Sequence, residues 1–362
     1  GKESKFLEYF KQYAYSEIDG SYHIDPDFTL AILGNTLGSR FYNWGPQPEH
    51  IQRLWNELLK LRATPVRKGD DVVTQDDMDI AFAGQAILEE IVLGLARRIK
   101  EFTWSQYLCA AGGVFFNSVL NGKILRSGLF EDVYVFPAAG DDGQAIGKLL
   151  YYLRSEGLSV NTQISNAYLG PNYSQKHTDY IVRESRLKIV SNSLKQTIEE
   201  AAKRLSNGQV IGWFDGRSEL GPRALGHRSI LADPRRQKMR DYINGYVKMR
   251  EWYRPLAPVV MEEKADEYFV IDRPSPFMLF VANVCPNKTK LIPAAVHVDG
   301  TARVQTVNRR QDEVLYQLLE EFAKLTGVPV LINTSFNERG MPMVESPHDA
   351  IKTFTQMNLD AL

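Results

Sequence analysis

Apolar residues recur at helical spacing from Met78 through Phe82, Leu88, Ile91, Val92 and Leu95 to Ile99. That period predicts one long amphipathic helix. Gln75-Asp76-Asp77-Met78-Asp79 places three acids at its start, and Arg97, Arg98 and Lys100 lie near its end. The order complements the helix dipole, so capping is preferred over metal binding for the acids. Two strand, glycine-turn, helix units follow. In the first, Tyr107 to Ala110 reads as a buried strand, Ala111 to Val114 as a turn and Asn117 to Leu125 as a helix. In the second, Val133 to Phe136 is the strand, Pro137 to Gly143 the loop and Gln144 to Arg154 the helix. This alternation predicts an α/β fold.

The pattern loosens between Gly157 and Ser174, around Asn161, Asn166 and Leu169-Gly170-Pro171-Asn172. A boundary is placed there: residues 1–165 form a first domain, 166–175 a linker and 176–362 a second domain. The second domain should open with a helix near Leu194 to Leu205 and a strand at Val210 to Phe214. Further strands are expected at Pro255 to Met261, Phe277 to Val284, Thr301 to Val307 and Val328 to Asn333, with a helix at Glu313 to Leu325. The first 70 residues are mixed. Within them Arg40 to Pro46 is turn-rich, and its aromatics are read as core or lid packing.

Composition bounds the function. The chain has 362 residues, 44% hydrophobic and 24% charged, which excludes a disordered chain and suits two packed cores. No apolar run has the length that crosses a bilayer, and Gly1 to Lys5 lacks a signal-peptide core. Cys109 and Cys285 are too few for a disulfide framework or a four-ligand zinc site, so a cytoplasmic, reducing compartment is expected. The start at Gly1 and the stop at Leu362 both read as cuts in a longer protein, also an expectation. Net charge is −1, which argues against a nucleic-acid protein. Yet Gly212 to Pro255 holds ten Lys or Arg against five acids, so this stretch is +5 and the remainder −6. A local anion site is implied.

Four segments carry chemistry. Gly112 and Gly113 after a strand permit close backbone approach to a phosphate or carbonyl, though glycine pairs also serve as plain turns. Gly140-Asp141-Asp142-Gly143 places two carboxylates side by side, which suits a metal or metal-nucleotide. A solvated loop with Asp142 capping the next helix fits equally. Asp215 to Ile230 is the most informative segment. Arg217, Arg223 and Arg228 are interrupted by Gly221, Pro222 and Gly226, which forces a loop and holds planar guanidinium groups on a rigid turn. Lys248, Arg250, Arg254 and Arg303 add cations, and a small polyanionic ligand follows. Finally, the strand before Asn333-Thr334-Ser335-Phe336-Asn337 delivers neutral donors and acceptors at its end, where α/β folds bind ligands; a turn at Asn337 is the alternative.

Leu108 to Asn117, Pro137 to Gly143, Gly221 to Ser229, Val247 to Pro255 and Asn333 to Asn337 together resemble the ATP-dependent O-carbamoyltransferases of the nodulation, cephamycin and tobramycin type. The resemblance implies the C-terminal part of a Kae1-like domain, of the actin/hexokinase/Hsp70 superfold, followed by a YrdC-like domain. The YrdC-like domain would join carbamoyl phosphate and ATP, carried with Mg2+, into carbamoyl adenylate with release of pyrophosphate. The Kae1-like domain would pass the carbamoyl group to a hydroxyl of a small molecule such as a sugar or antibiotic. Residue by residue, Arg223, Lys248, Arg254, Arg303 and Asn333 would hold carbamoyl phosphate and the ATP phosphates. Gly221, His227, Arg228, Ser229 and Ser335 would lie nearby, and Gly112, Gly113 and Asn117 would line the adenylate site of the first domain. Asp141 would ligate that domain's Fe2+.

This chain departs from the pattern in one respect. The family's other iron ligands are two His four residues apart, and His occurs here only at 23, 50, 177, 227, 297 and 348. The resemblance implies no nucleic-acid or membrane partner and admits a homodimer. Two other readings stand beside it: a threonylcarbamoyl-type tRNA-modifying enzyme, which needs an extended basic surface, and a non-catalytic nucleotide-binding module.

Overall fold

The computed structural model describes residues 4–36, 48–67, 71–159 and 164–362. The Arg40 to Pro46 turn and Asn161 lie outside the described residues. The chain divides into two compact units, one running through Leu108 with Lys123–Val133, the other comprising Cys109–Gly122 and Tyr134–Leu362.

In the first unit, α1 (Lys5–Phe10), the antiparallel pair β1 (Ala14–Ser16) and β2 (Tyr22–Ile24), α2 (Pro26–Thr36) and α3 (Glu49–Leu61) accompany the long α4 (Gln75–Thr103). The acidic start of α4 does cap it. Thr74 and Asp77 form a reciprocal capping box, and Asp76 accepts bonds from the Ala63 and Thr64 amides at 2.7 and 2.9 Å. The buried stripe differs from the expected one. Ala83, Ile87 and Ile91 face Phe6, Phe10 and Phe28, whereas Met78, Phe82 and Ile99 are each about two-fifths exposed. Period 3.6 identifies a helix, but the neighbouring helices decide which of two adjacent apolar stripes is covered.

The strand–turn–helix segments form as β3 (Tyr107–Ala110) with α5 (Ser118–Arg126) and β4 (Asp132–Val135) with α6 (Gln144–Ser155), and β3 and β4 pair. Asp142 does not cap α6. Gly143 occupies that position without a side-chain bond, and Asp141 Oδ1 accepts from the Gln144 side-chain Nε2 at 2.8 Å.

The second unit continues with α7 (Gln175–Glu184) and α8 (Leu194–Ser206), and is built on a five-stranded mixed sheet. Its strands are β5 (Ile211–Phe214), β6 (Arg228–Ala232), β7 (Ala257–Met261), β10 (Gln305–Val307) and β11 (Val330–Ser335), in the order β10-β7-β11-β6-β5. β7 and β10 are parallel, and the other neighbours are antiparallel. Period-2 alternation serves two cores. Leu231 and Leu331 face α8 and α11 (Glu313–Thr326) through Leu205, Leu319 and Phe322, while Ile230 and Ile332 face Ile243, Leu256 and Phe336. β8 (Val281–Asn283) and β9 (Thr301–Arg303) form a separate antiparallel pair.

Two expectations change here. The arginine-rich segment is a loop only as far as His227; Arg228 begins the fully buried β6. The strand expected across Thr301 to Val307 breaks at Val304, because its halves pair in different sheets. The segment after β6 winds into a short helix α9 (Lys238–Tyr242) and a π-helical turn over Ile243–Val247, which ends at Lys248. The remaining helices are α10 (Ala265–Tyr268) and α12 (Pro347–Gln356). Among the described residues no helix is long and apolar enough to cross a membrane.

Gly221 fixes the course of the arginine loop. Its φ is 98°, and a Cβ there would sit 2.4 Å from the Pro137 carbonyl oxygen. Gly221→Ala should therefore destabilise the protein by about 1–3 kcal/mol. A lowered melting temperature in calorimetry checks this; an unchanged one contradicts the close approach.

Candidate functional site

Three polar side chains organise the cationic site before any cation is considered. Glu219 is buried, and its Oε1 accepts the backbone N–H groups of Leu225, His227 and Arg228 at 2.7, 2.9 and 3.2 Å. One carboxylate thus closes the loop between β5 and β6 that carries Arg223. Asn244, in the π-helical turn, donates to the Trp252 and Arg254 carbonyls and accepts from Arg250 Nε at 2.9 Å. It closes the second cationic turn in the same way. Asn333, fully buried on β11, donates to Gln305 Oε1 at 2.8 Å, and Gln305 donates to the Leu225 carbonyl. The sheet is thereby tied to the tip of the first loop.

Arg223, Arg250, Arg254, Arg303, Asn333 and Ser335 line one cavity of about 460 Å³. Arg223 Nη2 donates to the Phe116 carbonyl at 2.9 Å. Its Nε, Arg303 Nε, Arg250 Nη2 and Asn333 Oδ1 are buried with no protein partner. Buried guanidinium N–H groups without acceptors are costly, each by about 1–3 kcal/mol. An anion in the cavity would satisfy them.

The electrostatics agree. Burial, then the charges of Arg223 and Arg250, pull Arg303 down to about 9. Burial and Arg254 pull Arg250 down to about 10. Both remain charged at neutral pH. Burial, then Arg250 and Arg254, bring Lys248 down to about 7. Its Nζ donates to the Ser335 and Asn337 carbonyls and to Asn337 Oδ1 at 2.8, 2.7 and 2.6 Å, so Lys248 braces the end of β11 beside the cavity. Arg254 is exposed at the rim and held by Glu251 at 2.7 Å.

Not every residue singled out in the sequence belongs here. Arg228 spends its guanidinium on the carbonyls of Glu345, Asp215, His227 and Gly216 and stacks on Phe214 at 3.8 Å. It supports the loop from the core. Ser229 accepts from the Gly226 amide at 2.9 Å, and His227 turns to Arg217 and Asp312. Gly112 needs its φ of 112° to bring its amide to the Ala139 carbonyl, while the Cβ positions of Gly112 and Gly113 meet nothing within 4 Å. Asn117 accepts the Leu120 amide at the start of α5. The glycine turn enters the cationic site through the Phe116 carbonyl. Asp141 is exposed, and among the described residues it belongs to no group of three metal-capable side chains. These residues alone do not compose an iron site.

Sequence reading missed Glu219, Asn244 and Gln305. An acid inside a basic glycine loop was a usable signal for Glu219; the other two are neutral amides with no distinguishing neighbours.

The family model described as carbamoyltransferase C-terminus matches residues 202–362, which hold every residue lining the cavity. The model described as carbamoyltransferase N-terminus matches residues 50–150. The chain is 43% identical over 321 residues to nodulation protein NolNO of Sinorhizobium fredii, covering 86% of this chain and 46% of that protein. It is 42% identical over 322 residues to nodulation protein NolO of Bradyrhizobium diazoefficiens, covering 86% and 58%. Nodulation protein U of the same organism is 34% identical over 285 residues, covering 79% and 47%. The chain spans about half the length of these relatives. With the patterns of both halves present in one polypeptide, the chain belongs to the carbamoyltransferase family.

Proposed function

We propose that the second unit activates a carbamoyl group at the cationic cavity, using carbamoyl phosphate and ATP carried with Mg2+, and that the protein of which this chain is part transfers it to the hydroxyl of a small molecule. The observation that supports this most is the set of buried, unpartnered N–H groups of Arg223, Arg250 and Arg303 around one cavity. We read residues 176–362 as a YrdC-like activating domain and residues 1–165 as part of a Kae1-like transfer domain, in which Asp141 would contribute one carboxylate to a metal site completed outside this chain.

The chemistry would run in balanced steps. Water cleaves carbamoyl phosphate to carbamate and phosphate. A carbamate oxygen attacks the α-phosphorus of ATP, the bond to the β-phosphate oxygen breaks, and pyrophosphate leaves. The acceptor hydroxyl then attacks the carbamoyl carbon, AMP departs with the electron pair of the broken C–O bond, and the hydroxyl proton passes to a base. Two anions must approach each other in the second step, which fixed guanidinium groups make feasible by neutralising the oxygens that converge. Arg223 and Arg303 reach into the cavity and would carry that load. Arg254 at the rim would meet the outer phosphates. Asn333 Oδ1, an acceptor without a partner, suits the carbamoyl NH2.

Arg223→Ala and Arg303→Ala should each lower carbamoyl-phosphate-dependent pyrophosphate release by about 100- to 1000-fold. A coupled pyrophosphate assay measures it, and unchanged release would favour a non-catalytic nucleotide-binding module.

The pH dependence follows from Lys248, which carries its charge below about 7 and loses it above. The kcat/KM for pyrophosphate release should fall as pH rises through that value, since the free protein's ionisation controls this ratio. Lys248→Met should remove the inflection. A wild-type profile flat between pH 6 and about 8.5 would count against a role for the ammonium charge.

A further inference from the structure

Outside the cavity lining, Asp215, His227 and Asp312 form a second cluster, which the activation chemistry does not use. One potential ligand atom from each of Asp215, His227 and Asp312 lies within 4.8 Å of the others. We propose that these three side chains bind one divalent transition-metal ion of the zinc class, through an imidazole nitrogen and two carboxylate oxygens, with a fourth position open to water.

The imidazole is prepared for this. Its Nδ1 lies 2.6 Å from the Arg217 carbonyl oxygen, which only accepts, so the proton of the neutral ring resides on Nδ1. The lone pair is then on Nε2, which faces Asp312 Oδ2 at 3.4 Å. A hydrogen-bonded backbone carbonyl is a common outer partner for a metal-bound histidine. The 3.4 Å separation is also informative. It is long for a charge-assisted N–H···O bond, which averages about 2.7–2.9 Å. Two ligands at about 2.0–2.1 Å from a tetrahedral ion stand about 3.3–3.4 Å apart.

The surrounding groups hold both ligands in place. The Tyr168 ring stacks on His227 at 3.7 Å and 11°, and its hydroxyl donates to Asp312 Oδ2 at 3.2 Å. Asp312 Oδ1 accepts the Leu315 amide at 2.9 Å and so fixes the carboxylate at the head of α11. Asp215 accepts the Gly216 amide at 2.8 Å and, being only half-buried, leaves an approach from solvent.

A separate observation points to a missing cation. Glu219 is only 8% exposed, its Oε2 has no partner, and its charge acts on both His227 and Tyr168. Two carboxylates therefore stand at one imidazole, and the charge of a third acts on it. Arg228 lies within electrostatic range of Asp215 and Glu219 but gives its hydrogen bonds to carbonyls. A divalent ion would balance the remaining charge and would join the loop that carries Arg223 to the start of α11. The site does not depend on the carbamoyl reading.

The test is metal binding by the whole chain after chelator treatment, titrated with Zn2+ against a chromophoric chelator and separately with Co2+. One equivalent should bind, with the visible bands of four-coordinate Co2+. His227→Ala and Asp312→Asn should each weaken Zn2+ binding by about 100-fold or more, and Tyr168→Phe by about 10-fold. Asn at 312 still caps α11, so this variant should remain folded, which circular dichroism checks. Absence of saturable binding overturns the site, as does wild-type affinity in both ligand variants. So do His227 ring resonances that titrate with pH but do not move with Zn2+, since these mark a plain His227–Asp312 ion pair.

Discussion

The functional half of the molecule depends on one carboxylate in an unlikely place. Glu219 is an acid buried in the most basic stretch of the chain, and three backbone N–H groups converge on a single one of its oxygens. Such bonds to an ionised acceptor are stronger than neutral ones and are directional. They hold Leu225, His227 and Arg228 in register, so the loop enters β6 at a defined residue and Arg223 emerges at a defined point. The constraint at the other end is steric: Gly221 passes so close to Pro137 that no side chain fits. Between these two fixed points the loop has little freedom to follow its charges apart.

That rigidity matters because the cations repel one another. Arg223, Arg250 and Arg303 are each lowered by burial, and the last two also by neighbouring positive charge. A flexible surface would relax by turning the guanidinium groups to water. Here Asn244 and Glu219 hold the two turns from behind. The repulsion therefore persists in the free protein and is relieved when an anion arrives, which is how preorganised electrostatics favours both binding and charge development in a reaction.

The sequence made the elements of the second unit legible where periodicity was strong: α8, α11, β5, β7 and β11 fall within a few residues of their expected places. It also made the cationic character of the cavity legible, because arginines separated by glycine and proline cannot lie on a helix face. It could not sort the arginines. Arg223 and Arg228 stand five residues apart in the same run, yet one faces a cavity with its Nε unpartnered while the other fills four carbonyl positions in the core. Which fate each meets depends on where β6 begins, and β6 begins at Arg228 because β5 and β11 flank it. The pattern Arg228-Ser229-Ile230-Leu231-Ala232 carries a charge at the first position of a fully buried strand, a choice that propensity alone opposes. The amide Gln305 was illegible for a related reason, since its role is set by a partner 80 residues away.

The +5 stretch from Gly212 to Pro255 itself carries two opposed sets of charge on a single loop. Arg223 lines the cavity, Asp215 and His227 belong to the carboxylate–imidazole cluster, and Glu219 binds the backbone amides of Leu225, His227 and Arg228. Because Glu219 binds those amides through one oxygen and leaves the other bare among acids, it belongs to both sets at once. Neutralising the acidic side would reduce the repulsion acting on Glu219 and allow its bonded oxygen to stay centred on the three amides. The same amides position the turn that carries Arg223. Charge balance on the carboxylate side and the placement of the guanidinium on the cavity side are then two consequences of one hydrogen-bonded carboxylate.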